Sequence, residues 1–227
     1  MSEISPQNPQ RRLVLKTVTA SAIAMGLVSL REALAQGGIP PGLYRVQGRV
    51  SVNGKPAKRG QVINPGDRVE TGSRSQAVFV IGQDAFILRA LGRVETSGSG
   101  AFADVLRLAT GKLLSVFSAG PRRIETPTAT IGIRGTGLYL ESGAKRTYVC
   151  TCYGTVEVAP RDLPKMTETI TTTHHEQPRY VYADSAMPED RMMPRAPVIN
   201  HTDAELILLE SLVGREPPFV GKGAPPY

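Results

Sequence analysis

The chain has 227 residues, 41% of them apolar and 21% charged, with 23 Gly, 18 Pro, two Cys and no Trp. This composition excludes a disordered chain, a collagen-like repeat and a disulfide-framed miniprotein. The net charge of +7 is scattered, with no basic run and few aromatics to stack on bases, so it reads as a solubility term and no nucleic-acid partner is expected.

The N-terminus reads as an address. Arg11-Arg12-Leu13-Val14-Leu15-Lys16 precedes a weakly apolar stretch from Val18 to Leu30, and Ala33-Leu34-Ala35 forms a small-residue cleavage site cut between Ala35 and Gln36. Thr19, Ser21 and Ser29 interrupt the stretch, which is too short to cross a hydrocarbon core of about 30 Å. No transmembrane span is therefore expected in the mature form. Two Arg, one intervening residue, two apolar residues and Lys resemble the twin-arginine export motif. That resemblance implies the twin-arginine export machinery as a partner and a soluble periplasmic product that crosses the membrane already folded. The first 35 residues hold four basic side chains (Arg11, Arg12, Lys16, Arg31) and two acidic ones (Glu3, Glu32), so 192 residues with a net charge of +5 remain. That length suffices for one core and an appendage.

Residues 36–44 form a Gly/Pro-containing leader. From Tyr44 to about Val158 short apolar-alternating runs follow one another: Tyr44–Val52, Gln76–Ile81, Phe86–Leu88, Val105–Leu108, Lys112–Phe117, Thr128–Ile133, Gly137–Leu140, Thr147–Cys152 and Thr155–Val158. Asn53-Gly54, Asn64-Pro65-Gly66-Asp67 and Ser118-Ala119-Gly120-Pro121 mark turns between them. No helical period of useful length appears, so this region is predicted to be a β domain of many short strands, as a sandwich or roll. Residues 159–215 are predicted to be an irregular arm with strands near Thr167–Thr173 and Arg179–Ala183, ending in one short helix over 203–213. Thr202-Asp203-Ala204-Glu205 is a capping box, Leu206, Leu209, Leu212 and Val213 share one face, and Gly214 stops the helix. A helix this short must dock on the β domain to persist. Residues 216–227, with four Pro, read as a flexible tail.

Four pieces of the β region stand in a recognisable order. Gly48-Arg49-Val50 with Gly54 is followed by Pro65-Gly66-Asp67-Arg68-Val69-Glu70-Thr71-Gly72-Ser73, then Ala77-Val78-Phe79-Val80, then Thr126-Pro127-Thr128-Ala129-Thr130-Ile131-Gly132-Ile133-Arg134-Gly135-Thr136. Over residues 45–158 this resembles the FecR domain, the periplasmic part of a ferric-citrate signalling regulator. The resemblance implies an exported sensor-type or binding domain. The regulator also has a cytoplasmic part that acts on a sigma factor, and the ten residues before Arg11 leave no room for one, so transmembrane signalling by this chain is not expected. Read from the residues alone, Gly66, Asp67, Gly72, Arg134 and Thr136 are scaffold positions at turns and close approaches.

Both Cys (Cys150, Cys152) and all three His (His174, His175, His201) fall within 52 residues at the end of the β region and in the arm. In a strand, residues two apart point to one face, with Cα atoms about 6.5 to 7 Å apart, near the upper limit for a disulfide and well suited to gripping one ion. Two thiolates with one or two imidazoles suit Zn, or Cu(I) with Met192 or Met193 as thioether ligands. In a strand, His174 and His175 would point to opposite faces, so at most one of them is expected to ligate. His201, just before the helix, could instead pack against Leu206 as a staple.

Three functions compete. The first is a non-enzymatic periplasmic binding or sensor module with a metal ion in the Cys/His cluster. The second is a cell-envelope module docking on glycan or another envelope protein, with a Cys150–Cys152 disulfide as a staple. The third is a thiol oxidoreductase, disfavoured because a strand supplies no helix dipole to lower a thiol pKa. No hydrolase, zinc-protease, P-loop or dinucleotide motif is present, so no enzyme is expected.

Overall fold

A computed structural model of the chain describes residues 40–98, 104–184 and 186–222. Arg11, Arg12, Ala35 and Gln36 lie outside the described residues. The first seven strands are β1 (Gly42–Gln47), β2 (Val50–Val52), β3 (Lys55–Pro56), β4 (Arg68–Thr71), β5 (Gln76–Ile81), β6 (Asp84–Leu88) and β7 (Arg93–Ser97). They are followed by β8 (Val105–Val116), β9 (Pro121–Glu125), β10 (Ala129–Arg134), β11 (Gly137–Ser142), β12 (Arg146–Pro160), β13 (Glu168–Thr172) and β14 (Arg179–Tyr182). Helix α1 spans Asp203–Leu212. Among the described residues the protein is thus mainly β with one short α-helix towards the C-terminus, as its alternating runs require.

The strands form one sheet that folds over into two layers and partly closes into a barrel. One layer runs β1-β5-β6-β8-β11-β12-β14, and the other β3-β2-β4-β7-β8-β9-β10-β12-β13. All pairings are antiparallel except β8 with β9. Strands β8 and β12 belong to both layers and turn the corners between them. The corner in β8 falls at Gly111 (φ 95°), where a side chain would meet the Gly92 backbone; that in β12 falls at Gly154 (φ 91°), where it would meet the Gly135 carbonyl. Only a residue without Cβ fits such a left-handed, crowded position. This is why Val105–Leu108 and Lys112–Phe117, two runs in the sequence, are one strand, and why Thr147–Cys152 and Thr155–Val158 are another. In contrast, Tyr44–Val52 reads as a single run yet divides into β1 and β2, in different layers.

Alternation along the strands puts one apolar set between the layers, including Phe79, Phe86, Leu106, Ile124, Leu140, Val149 and Val156. A second set covers the outer face of the first layer: Val78, Val80, Ile87, Leu114, Val116, Tyr139, Tyr148, Cys150, Cys152 and Tyr153. Helix α1 closes this face with Leu206, Leu209, Leu212 and Val213, the four residues that its sequence period placed together. The capping box is present, with the Glu205 carboxylate accepting the Thr202 N–H at 3.0 Å. The same carboxylate takes a forked ion pair from Arg89 at 2.8 and 2.9 Å, fastening the start of the helix to the chain after β6. At the far end Glu210 accepts from the Tyr153 hydroxyl and from Arg215 Nε, while Arg215 Nη1 reaches the Gln83 carbonyl at 2.8 Å.

The turn and close-approach positions of the β region hold backbone together. Asp67 accepts the Asn64 N–H at 2.8 Å and the Asn53 side-chain amide at 2.7 Å, closing the turn before β4, and the Thr136 hydroxyl bonds the Thr155 carbonyl at 3.0 Å. The segment after Val158 carries two strands, β13 and β14, and both pair with β12. Among the described residues no helix is long and apolar enough to cross a membrane.

Candidate metal centre

Strand β12 sets the first two donors. Cys150 and Cys152 point to the same outer face, both are free thiols, and both are fully buried. The β13–β14 turn brings in the histidines. His174 and His175 are not in a strand, so the opposed arrangement expected of them does not arise. The turn is folded by Glu176, whose carboxylate accepts the Thr173 N–H at 2.9 Å, the His174 N–H at 3.0 Å and the Thr173 hydroxyl. Burial pushes the Glu176 pKa up, but these donors outweigh it and hold it at about 2. His175 sits in the left-handed region (φ 65°), unusual for a side chain of its size, and its N–H bonds the Cys152 carbonyl at 3.0 Å. Strain of this kind persists only where its surroundings over-determine it, and it clusters at sites that position a functional group.

The entry to α1 supplies the rest. His201 stacks on Tyr139, with ring centroids 4.5 Å apart and planes 20° from parallel. The ligand atoms of Cys150, Cys152, His175 and His201 all lie within 4.8 Å of one another, and all four residues are buried. Cys150 Sγ lies 3.5 Å from His175 Nδ1, which lies 3.0 Å from His201 Nε2. Around a tetrahedral zinc, with bonds of about 2.3 Å to sulfur and 2.0–2.1 Å to nitrogen, neighbouring S and N ligands sit about 3.6 Å apart and two N ligands about 3.3 Å. The sulfur–nitrogen spacing already fits. The two nitrogens need to part by a few tenths of an ångström.

The tautomers follow from the partners. His201 Nδ1 faces the Ile199 carbonyl at 2.7 Å, which only accepts, so Nδ1 carries the proton and Nε2 presents its lone pair. His175 Nε2 faces the Asp203 carboxylate at 3.1 Å and donates to it, leaving Nδ1 directed at the sulfurs and at His201. Two ring lone pairs 3.0 Å apart repel unless a proton or a cation lies between them. A carboxylate behind a ligating imidazole is the arrangement that fixes ring orientation and raises ligand basicity at metal sites.

Electrostatics agree with that reading. The Cys152 thiol lowers the Cys150 pKa by hydrogen bonding; burial opposes this, and His175 and His201 add to the lowering. Burial pushes the Cys152 thiol up, and its bond to Cys150 does the same. For His175, burial favours the neutral ring, but Cys150 and Asp203 prevail and raise its pKa. These directions favour a Cys150 thiolate beside a protonated His175 ring, and a divalent ion bound by both sulfurs displaces that proton together with the Cys152 thiol proton, leaving two thiolates to balance its charge.

All five residues singled out in the sequence converge here, but they divide. Cys150, Cys152, His175 and His201 form the inner set, and His174 belongs to an outer one with His175 and Asp203. Met193 packs against the cluster between the layers, on the other side of the sheet from the thiols. Sequence reasoning missed Asp203, which it read only as a position within the capping box. A carboxylate one residue into a helix and two residues after a histidine was the available signal.

No family model matches the chain, and no curated protein does either. Two solved structures of a candidate anti-sigma factor from Parabacteroides distasonis are similar, each 12% identical with a TM-score of 0.45, and the match covers 57% of this chain. The chain spans 58% of the length of those structures.

Proposed function

We propose that this chain is an exported, periplasmic FecR-type β domain, without enzymatic activity, that holds one zinc ion in a closed Cys150–Cys152–His175–His201 centre. The observation that carries the metal reading is the convergence of four buried donor atoms, the sulfurs of Cys150 and Cys152 with His175 Nδ1 and His201 Nε2, all within 4.8 Å of one another. Four protein ligands leave no open position for a reacting water, which is the pattern of a structural site. Burial of Cys150 argues against thiol oxidoreductase chemistry, because a substrate disulfide cannot reach its sulfur. The FecR reading rests on the ordered motifs between Gly48 and Thr136 and on the mainly β architecture, and export rests on Arg11-Arg12 and Ala33-Leu34-Ala35. The free thiols, held in one strand, favour the metal over the disulfide-stapled envelope module.

The centre ties β12, the β13–β14 turn and the entry to α1 together, so metal binding is coupled to the order of these segments. Elemental analysis of the full chain purified from the cytoplasm with reductant should find at least about one equivalent of zinc, and less than about a tenth in Cys150→Ser/Cys152→Ser. Equal zinc content in the two proteins would remove the metal claim.

A further inference from the structure

The inner set is sealed, so the residues at its mouth decide what reaches it. His174 and Asp203 keep 9% and 12% of their side chains exposed, against none for His175. His174 Nε2 lies 3.0 Å from both Asp203 oxygens, and His175 Nε2 lies 3.1 Å from one of them. These three donors form a second group within ion-binding distance, and His175 belongs to both groups, offering Nδ1 inward and Nε2 outward. We propose that His174, His175 and Asp203 form a second divalent-cation site at the mouth of the inner centre, with the His175 ring bridging the two ions.

This rests on the zinc reading of the inner set, because only a filled inner site makes a bridging ring favourable. The donor chemistry differs between the two sites. Thiolates give the inner site a preference for soft ions, whereas two imidazoles and a carboxylate suit a borderline divalent ion such as Zn(II), Co(II) or Cu(II). With two thiolates neutralising the inner ion, the Asp203 carboxylate remains as a negative charge beside it, and the outer cation offsets it. On filling, His174 moves its ring proton from Nε2 to Nδ1, and His175 releases its Nε2 proton to solvent to become an imidazolate bonded to both metals. One proton leaves with the second ion. Phe219 packs over His174 at a centroid distance of 4.7 Å and shields the mouth.

Cobalt titration of the reduced, metal-stripped full chain tests the proposal. The first equivalent should bring the near-ultraviolet thiolate-to-cobalt band to its full height, and a second should bind with no further growth of that band. In His174→Gln the stoichiometry should fall from two to one while the thiolate band stays. A wild-type stoichiometry of one, or a second equivalent that survives in His174→Gln, overturns the outer site. Binding of one equivalent without any thiolate band overturns the inner reading instead, and no binding overturns both. Because His174→Gln could disturb the turn, histidine ring-nitrogen resonances in the wild-type chain give an independent reading. The second equivalent of zinc should shift the Nε2 signals of both His174 and His175, and unmoved signals refute the assignment.

Discussion

The two layers share strand β12, among others, and yet present opposite outer faces. Along β12, every residue from Thr147 to Tyr153 is buried, whereas after Gly154 Val156 and Val158 are buried and Glu157 between them is exposed. The first half lies beneath α1 and the chain on either side of it, and its outward positions hold Tyr148, Cys150 and Cys152. The second half faces solvent, and the outer surface of its layer carries an ion-pair ladder: Arg68 and Arg93 with Glu70, Arg93 with Glu95, Arg123 with Glu125, and Arg134 with Glu157. One strand therefore supplies a dry site and a wet surface, and the difference comes from what the chain lays over each half. A thiol and imidazole centre needs the dry half, where water does not compete for the ion and the positioning hydrogen bonds are strong.

Three substitutions grade this contrast. Leu209 is fully buried between α1 and the first layer, and Leu209→Ala should cost about 2–5 kcal/mol in chemical denaturation by the large-to-small rule. A cost below about 1 kcal/mol would mean that the helix is not what keeps this face dry. Arg89→Gln removes a forked pair whose partners are about a quarter exposed, and it should cost about 0.2–1 kcal/mol. Its sharper readout is local: amide exchange in the first turn of α1 should quicken while β10 exchange is unchanged. Arg134→Gln breaks a pair that is 73% and 48% exposed, and the melting temperature should not move measurably. If Arg134→Gln proved as costly as Leu209→Ala, the ladder would be a cooperative network and the wet face more than a solvated surface.

Much of the architecture was legible because two periods are local properties of the chain. Alternating runs with Gly, Asn and Pro breaks announce strands, and Thr202-Asp203-Ala204-Glu205 followed by Leu206, Leu209 and Leu212 announces a capped amphipathic helix. The same-face placement of Cys150 and Cys152 follows from strand geometry alone. Strands with charged or polar sides, such as Arg68–Thr71, Arg93–Ser97 and Pro121–Glu125, carry no apolar run of their own, since their neighbours in the sheet, and not their own hydropathy, make them strands.

The division of labour among the histidines was decided by tertiary structure. Sequence adjacency of His174 and His175 suggested opposite faces of a strand, whereas a turn folded on Glu176 and a left-handed His175 point both rings at Asp203. By itself, the sequence determined which residue types could meet and which faces they occupied, because strand and helix periods depend only on near neighbours. Only the folded chain decided that His201 turns its Nε2 toward His175, and that Asp203 serves two rings, because those placements depend on contacts between residues 25 to 29 positions apart, which no local period encodes.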